Sequence, residues 1–576
     1  MIAVVLAAAI GCAPAPKPPS VDQRLRNIYS TEWKWRDSQF PDDEDSQRPI
    51  ADHLPRVDPE AQQMRLQYWQ DVLQQLGEID RTQLSPTERL NYDVYLPQVR
   101  ALIASQRFRD FEMPANSDST FWTDIGYTAR RTFRTIGDYR NWIAQMRDIP
   151  RYFHEQMDGM RAGLKRGFTP PRVTMAGRDA SLTAVTEATA EDSLLYTPFK
   201  DMPGIPEADR MALRAQAIEV IRDSVQPAYL ELLKFMRTEY LPGTRTTLAA
   251  EDLPDGKAYY RAKILEYTTL ELDPAGIHAL GEAEVTRLHD EMLAVMRESG
   301  FKGDFAAFLQ FLRTDPRFYA RTADDLLMRA AWIAKKFDGK ASQFFGYLPR
   351  QRFTIRPVPP DLAPFYTAGR GGPGVYLLNT YQLNTRPLYN LTALTLHESA
   401  PGHAFQIPIA LEHRDQPEFR QHTYLSAYGE GWALYCEHLG EEMGMYETPY
   451  DRFGMLGYQI WRAVRLVVDT GIHSQGWTRD RALAYMREYT ALSDHEIETE
   501  VDRYIAWPAQ ALSYYLGERA ILEARAKAEK ALGPRFNIRA FHDAVLELGS
   551  VPLPVLQGRI ARFIDEGGKG PYPDVE

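Results

Sequence analysis

Histidine and glutamate side chains of the kind that bind zinc and work beside it occur together in residues 394–406. This segment reads Leu-Thr-Leu-His-Glu-Ser-Ala-Pro-Gly-His-Ala-Phe-Gln and carries His397, Glu398 and His403. In the HExxH motif of helical zinc peptidases, two histidines four residues apart bind the metal and the glutamate is the general base. Here six positions separate the histidines, about 240° around an unbroken helix, so a regular helix would not direct both to one ion.

Pro401 and Gly402 lie between the two histidines and predict a break in the helix. Proline lacks an N–H, and its ring clashes with the carbonyl four residues back, here that of His397. Glycine permits backbone dihedrals that other residues avoid. The segment is therefore interpreted as HExxH with a two-residue insertion, in which the break returns His403 to the metal. On spacing alone, two satisfied structural histidines are an equally good interpretation.

A third candidate ligand, Glu430, lies at the start of a predicted helix about one helix and turn downstream. Zinc peptidases of the Glu type take a carboxylate from such a position. The alternative is a solvated acidic face, because Glu430, Glu437 and Glu441 share one side of that helix. Glycines at positions 429 and 431 and a tryptophan at 432 are unusual neighbours for an exposed charge, and we prefer the ligand interpretation.

The elements that must position these residues are mostly helical. Four capping residues precede amphipathic runs, and three of them are followed by a proline suited to a first helical turn: Asp58, Ser85, Asp273 and Thr478. Two short strands are predicted at residues 353–358 and 374–379. The sequence predicts a mainly α protein with one small β-sheet, divided near residue 250 into a helical N-terminal half, 21–250, and a catalytic half, 251–576.

The composition excludes several functional classes. The chain has 576 residues, of which 44% are hydrophobic and 25% charged, with a mean hydropathy of -0.42, which excludes disordered and multi-span membrane proteins. A net charge of -11 without a basic stripe predicts no nucleic-acid partner. The two cysteines, Cys12 and Cys436, provide neither a disulfide framework nor a thiolate zinc site.

The first twenty residues predict export and lipid attachment. Residues 2–11 form an apolar run too short to span a bilayer but suited to a signal peptide, and Cys12 follows small and aliphatic residues as in a lipoprotein processing site. We expect a signal peptide over 1–11 and an acylated Cys12. A stiff, proline-rich tether over 12–20 would follow. An ordinary buried N-terminal segment is the alternative.

The expected location is the cell envelope, with the mature protein facing the periplasm or the cell surface. Ala13, rather than aspartate, follows the cysteine, which favours the outer membrane if the host is Gram-negative. Contact with the membrane is expected through the lipid anchor alone.

Beyond these features, the sequence resembles bacterial lipoproteins and secreted proteins of the domain-of-unknown-function 885 family, whose centre carries HE, two residues, then PGH. The matching stretches cover residues 397–403, 430–435, 465–473 and 503–517. The resemblance implies a large helical zincin-like fold, similar to the deep-channel zinc peptidases that trim short peptides, with His397, His403 and Glu430 on the metal. The chain departs from the family pattern at Ala404, where a second histidine is common, and at Ala509, where glycine is common.

Further polar candidates come from the C-terminal matching stretches and from the second predicted strand. His473 and Tyr514 could donate to an oxyanion, and Arg503 and Tyr504 could hold a peptide carboxylate. Tyr514 also fits a helical core pattern. The strand at 374–379, which contains Tyr376, is expected to pair with an extended substrate as an added strand.

The sequence therefore predicts a Zn²⁺-dependent peptidase of short peptides. His397, His403 and Glu430 would hold the metal with one position open for water, and Glu398 would be the general base. The sequence leaves open whether the peptide is cleaved near an end or internally. It also leaves open which divalent metal is the native one. The rival hypothesis is a non-catalytic envelope lipoprotein that binds a peptide or another ligand and carries a structural metal.

Overall fold

A computed structural model of the chain describes residues 19–40, 48–117, 119–360 and 362–573. The predicted signal peptide, Cys12 and most of the tether lie outside the described residues. The fold is mainly α, as predicted. Helices in the first part of the described chain are α1 Val21–Gln39, α2 Pro59–Gly77, α3 Pro86–Phe108, α4 Phe121–Ala129, α5 Ile136–Arg166, α6 Ala180–Glu187, α7 Thr197–Lys200, α8 Glu207–Val220, α9 Gln226–Phe235 and α10 Leu241–Gly243.

The remaining elements carry the candidate site. Helices before the sheet are α11 Gly256–Thr268, α12 Pro274–Glu298, α13 Phe305–Thr314, α14 Ala323–Asp338 and α15 Ala341–Phe344. The strands are β1 Thr354–Pro357, β2 Gly369–Gly372 and β3 Val375–Leu378. Helices after the sheet are α16 Leu388–Glu398, α17 His403–Glu412, α18 Glu418–Gln421, α19 Ser426–Glu442, α20 Pro449–Ser474, α21 Arg479–Tyr489, α22 Asp494–Ala506, α23 Ser513–Leu532, α24 Ile538–Leu546 and α25 Leu553–Asp565.

The four predicted helix starts are confirmed by side-chain caps. The side chains of Asp58, Ser85, Asp273 and Thr478 each accept a backbone N–H of the first helical turn that follows them. These caps satisfy amides that have no partner inside the helix. Local sequence therefore fixes where α2, α3, α12 and α21 begin.

The predicted small sheet is confirmed, and it is the one sheet among the described residues, with three strands in the order β1-β3-β2. Strand β2 was not predicted because three of its four residues are glycine, which has no β preference. β3 pairs with β1 on one side and with β2 on the other. The expectation that the strand containing Tyr376 adds a substrate strand is therefore wrong, since both of its edges are already paired. Edge strand β2 is the alternative.

Two hydrophobic cores organise the described residues. The smaller core is built from residues 50–240, chiefly from α4 to α9. The larger core combines α1 to α3 with the helices after residue 250, so these three helices pack with the predicted catalytic half. None of the described helices is long and apolar enough to cross a membrane.

A close helix crossing holds the helix that carries Glu430. Gly517 on α23 lies against α19, where an added Cβ would come within 1.9 Å of the carbonyl oxygen of Ala427 and 2.8 Å of the Cα of Gly431. Only glycine permits this approach of two backbones. Gly431 is thereby explained as a packing residue beside the candidate ligand.

Candidate metal centre and cavity

The helix break predicted at Pro401 separates α16 from α17. α16 ends at Glu398 and α17 begins at His403, and the peptide bond before Pro401 is cis. Gly402 lies so close to α16 that a Cβ would approach the carbonyl oxygen of His397 to 1.8 Å. The turn brings the ring of His403 back to that of His397, with 5.0 Å between the ring centroids.

Glu430 on α19 meets both histidines. Its Oε2 lies 3.5 Å from Nε2 of His397 and 3.4 Å from Nε2 of His403. Ligand atoms of a tetrahedral zinc site, each about 2.0–2.1 Å from the ion, are separated by about 3.3 Å. Both histidines are buried and the side chain of Glu430 is 16% exposed. The Glu430 oxygen thus lies from each imidazole nitrogen at a spacing that two ligands of one metal ion would have.

Glu437, one of the residues of the suggested acidic face, is completely buried instead. Its Oε1 lies 2.7 Å from Nδ1 of His397. A carboxylate on the far nitrogen of a metal-binding histidine fixes the ring and its tautomer. Of the three glutamates on that side of α19, Glu441 is the one that pairs at the surface, with Arg452. The signal that could have identified Glu437 is its place seven residues after Glu430, on the same helix face.

Glu398 is positioned by the sheet. Its Oε2 accepts the backbone N–H of Gly371 on β2 at 2.6 Å. A Cβ on Gly371 would lie 1.7 Å from the carbonyl oxygen of Glu398, so glycine is required at this contact. Ligand atoms of His397, Glu398 and His403 also lie within 4.8 Å of one another. Two carboxylates, those of Glu430 and Glu398, therefore lie near the two histidines.

The local charge balance suits a cation. Burial lowers the pKa of His397, but its contacts with Glu430, Glu437 and Glu398 outweigh burial and raise the pKa to about 10. Burial raises the pKa of Glu430, but His403 and His397 hold that pKa well below its usual range. Three carboxylates thus surround two imidazoles, and a divalent ion would neutralise their excess negative charge. This donor set, nitrogen and carboxylate oxygen, is one that zinc accepts.

A large cavity of about 2360 Å³ opens onto this group of residues, and His397, Glu398, His403 and Glu430 all line it. Typical small-molecule pockets hold about 300–1,000 Å³, so there is room for a chain of several residues. Tyr424, which sequence analysis missed, also lines the cavity, and its hydroxyl donates to Glu430 Oε1 at 3.2 Å. Gly429 makes space for this tyrosine, since a Cβ there would lie 2.5 Å from its ring.

The other predicted site residues divide into two groups. Arg503 and Tyr514 line the cavity. His473 does not: it is fully buried, its Nδ1 accepts the N–H of Ala250 at 3.0 Å, and its Nε2 lies 2.8 Å from the carbonyl oxygen of Tyr504. Because burial also lowers its pKa to about 3, His473 has a structural position and leaves our catalytic set.

Tyr504 and Tyr376 are likewise placed behind the cavity wall. The Tyr504 hydroxyl accepts from Trp461 at 3.0 Å and from Arg465 at 2.9 Å, so it orients an arginine and does not face a substrate. Tyr376 is fully buried on the central strand β3. Both residues support groups that line the cavity and are not substrate contacts in this structure.

The fold and the site together define a mainly α protein with a cluster of histidines and carboxylates, able to hold a metal, at a large internal cavity. The chain belongs to the family described as bacterial protein of unknown function, DUF885, whose family model matches residues 42–560. No curated protein matches the chain. The family assignment made from the sequence is confirmed, and the zincin-like motif stays a prediction.

Two solved structures share the fold. One, from Colwellia psychrerythraea, has 25% sequence identity and a TM-score of 0.87 over 95% of this chain and 100% of that chain. The other, from Shewanella oneidensis, has 16% identity and a TM-score of 0.69 over 94% of this chain and 100% of that chain. Both proteins are described as a "putative lipoprotein", the second as one of unknown function.

Proposed function

We propose that the protein is a zinc-dependent peptidase that hydrolyses short peptides. The observation that carries the proposal is the convergence of three potential ligand atoms, Nε2 of His397, Nε2 of His403 and Oε2 of Glu430, at separations of 3.4 and 3.5 Å to the carboxylate oxygen. Three protein ligands leave one tetrahedral position for water or substrate, as in catalytic rather than structural zinc sites. Zinc held there would supply a Lewis acid that polarises a carbonyl and activates water.

Glu398 is the general base of this proposal. It lies beside the ligand His397, lines the cavity, and has its carboxylate held by the N–H of Gly371. In hydrolysis it accepts the proton of the attacking water, whose oxygen forms a bond to the peptide carbonyl carbon. The carbon–nitrogen bond then breaks and the departing amine takes that proton. Glu430, unlike Glu398, has no hydrogen bond to β2 among the described residues, and its carboxylate lies next to both histidines. We therefore assign Glu430 to the metal.

Two tyrosines and one strand would bind the substrate. Tyr424 donates its hydroxyl within the site, and Tyr514 lines the same cavity, so either hydroxyl can stabilise a developing oxyanion. β2 pairs only with β3 among the described strands, and three of its residues line the cavity. An extended peptide can therefore lie beside the edge of β2 that pairs with no strand, where the N–H of Gly371 already binds Glu398.

The proposed function is tested by peptide turnover with and without metal. Purified protein loaded with one equivalent of zinc is expected to cleave members of a mixed short-peptide library. Chelation followed by dialysis should abolish cleavage, and added zinc should restore it. Metal analysis and mass spectrometry of the products are the measurements. Zinc-loaded protein that cleaves nothing in the library would favour the non-catalytic binding protein.

We also propose that the protein is an envelope lipoprotein acylated at Cys12 and anchored in the outer membrane. The support is the apolar run before Cys12, the proline-rich segment after it, and the lipoprotein descriptions of the two proteins with the same fold. Metabolic labelling with a fatty acid should mark the wild type and not Cys12→Ala. Equal labelling of both proteins would contradict acylation at this residue.

A further inference from the structure

The cavity lining has the opposite charge balance to the whole chain. Among the described residues, twelve arginines, seven carboxylates and no lysine line it, an excess of five positive formal charges, whereas the chain carries -11. Two of the seven carboxylates, Glu398 and Glu430, belong to the candidate metal centre, where a divalent ion would add positive charge. The lining therefore favours an anionic ligand.

Three of these arginines form a cluster beside the metal centre: Arg462, Arg465 and Arg503. Arg462 and Arg465 lie one turn apart on α20. Nη2 of Arg462 is 3.7 Å from Oε1 of Glu437, the carboxylate that also holds His397. The arginine cluster is thus separated from a candidate metal ligand by a single side chain.

The carboxylates that pair with the cluster are shared. Glu500 is shared, since its carboxylate lies 2.9 Å from Arg465 and 3.4 Å from Arg503. Arg503 also donates to the amide oxygen of Gln510 at 2.9 Å. Glu437, the other nearby carboxylate, is already engaged by His397. Glu500 and Glu437 thus each serve more than one partner in or beside the cluster.

Arg465 in addition carries an unsatisfied donor. Its Nε donates to Tyr504 and its Nη2 to Glu500, but its buried Nη1 has no hydrogen-bond partner among the residues that the structure describes. The side chain is 2% exposed, and its guanidinium carbon lies 4.3 Å from the ring centroid of Trp461 and 4.5 Å from that of Tyr514. A buried charged donor without an acceptor is costly, and a ligand oxygen reached by a shift of Tyr514 would satisfy it.

We propose that the arginine cluster binds the free C-terminal carboxylate of a peptide substrate, so that the protein is a carboxypeptidase. This inference rests on the proposed peptidase function and names its substrate class. The planar fork of arginine matches a carboxylate with two parallel hydrogen bonds, which fits a lining that contains arginine and no lysine. The Tyr514 ring contacts both Arg462 and Arg465, with its centroid 5.8 and 4.5 Å from their guanidinium carbons. Arg462 is linked to His397 through Glu437 by separations of 3.7 and 2.7 Å, so the nearest member of the cluster lies within about three peptide residues of the metal centre.

The first test compares matched peptides on zinc-loaded wild-type protein. Each peptide is made with a free C-terminal carboxylate and as the C-terminal amide, and each is made with a free and an acetylated N-terminus. The free acids should be cleaved with a kcat/KM about 10²-fold above the amides, and products should be shortened from the C-terminus. Acetylation of the N-terminus should have little effect. Amides cleaved as fast as acids would overturn the proposal.

A binding measurement separates this inference from the hydrolase proposal. The same acid and amide pairs are titrated by calorimetry into wild-type protein after removal of metal, where no turnover occurs. The acid is expected to bind at least tenfold more tightly than the amide. Zinc-loaded protein could cleave no peptide while the metal-free protein still binds the acid more tightly than the amide. In that case the carboxylate site stands and the hydrolase proposal fails. Equal affinities would overturn the carboxylate site.

Single arginine substitutions locate the site. Arg503→Gln should lower kcat/KM for free acids about tenfold to hundredfold and leave the amides unchanged. Arg562→Gln is the matched control, because Arg562 lines the same cavity, is exposed, and lies on α25. Equal losses in both variants would assign the effect to overall cavity charge and overturn the cluster. Arg465→Gln is a second variant, and if it fails to fold, Arg503→Gln and the acid–amide comparison still decide.

Discussion

Glu398→Gln is expected to retain the fold and the metal and to lose peptide hydrolysis by about 10²- to 10⁴-fold, equivalent to roughly 3 to 5 kcal/mol of activation barrier. Glutamine has nearly the shape of glutamate, and its amide oxygen can still accept the Gly371 N–H that holds the carboxylate in the wild type. It cannot accept a proton from water. The measurement is zinc content together with turnover of the short-peptide library.

The matched control for this variant is Glu441→Gln. Glu441 lies on α19 near the same centre in sequence, but its side chain is 37% exposed and pairs with Arg452 at the surface. Exposed pairs of this kind contribute about 0–1 kcal/mol, so neither stability nor turnover should change appreciably. A zinc-loaded Glu398→Gln protein as active as the wild type would remove Glu398 from the mechanism. The ligand-binding lipoprotein would then become the preferred function.

The parts of the site that could be predicted from the sequence are those set by short-range rules. His397, Glu398 and His403 lie within seven residues, and the proline and glycine between them predict the turn that the structure contains. Capping residues likewise predict four helix starts. In each case a few consecutive residues contain the physical cause, which is either a missing N–H or a side chain that accepts a backbone N–H.

The parts that could not be predicted depend on contacts between distant segments. Gly371 precedes Glu398 by 27 residues and reaches it only because β2 packs on α16. Gly517 and Gly431 meet across two helices. Each glycine is uninformative alone, since a turn, a bulge and a close crossing all require glycine. The arginine cluster also forms from two helices, α20 and α22, whose approach no local pattern encodes.

The direction in which a helical side chain is buried explains why the expectations for individual residues failed. His473 and Glu437 are both polar residues on amphipathic helices, and the sequence suggested the first for the site and the second, as an alternative interpretation, for a solvated face. The structure buries both, one against backbone groups and the other against His397. A polar residue on a helix face can lie toward a cavity, a core or solvent with the same periodicity, and the neighbouring helices decide which.

Removal of any of the three proposed ligands is expected to weaken zinc binding by about 10²-fold or more. Structural zinc sites with four ligands bind with roughly 10–16 kcal/mol, so one ligand accounts for about 3 kcal/mol. His397→Ala, His403→Ala and Glu430→Ala should therefore each lose zinc on dialysis against a weak chelator. Glu437→Gln should show a smaller loss, about 10- to 100-fold, because this residue orients the ring of His397 from its far nitrogen.

The relative sizes of these losses in zinc affinity distinguish a metal-binding site from a pair of histidines that only support the fold. His154→Ala is the control, because His154 is exposed and pairs with Glu231 on the protein surface. Zinc affinity by competition titration and melting temperature are measured for every variant. If the two histidines were structural, their substitution would lower the melting temperature of the metal-free protein without a change in zinc affinity. Full zinc occupancy in His403→Ala would remove that residue from the ligand set, and full occupancy in Glu430→Ala would transfer the ligand role to Glu398, whose carboxylate groups with the same two imidazoles within 4.8 Å.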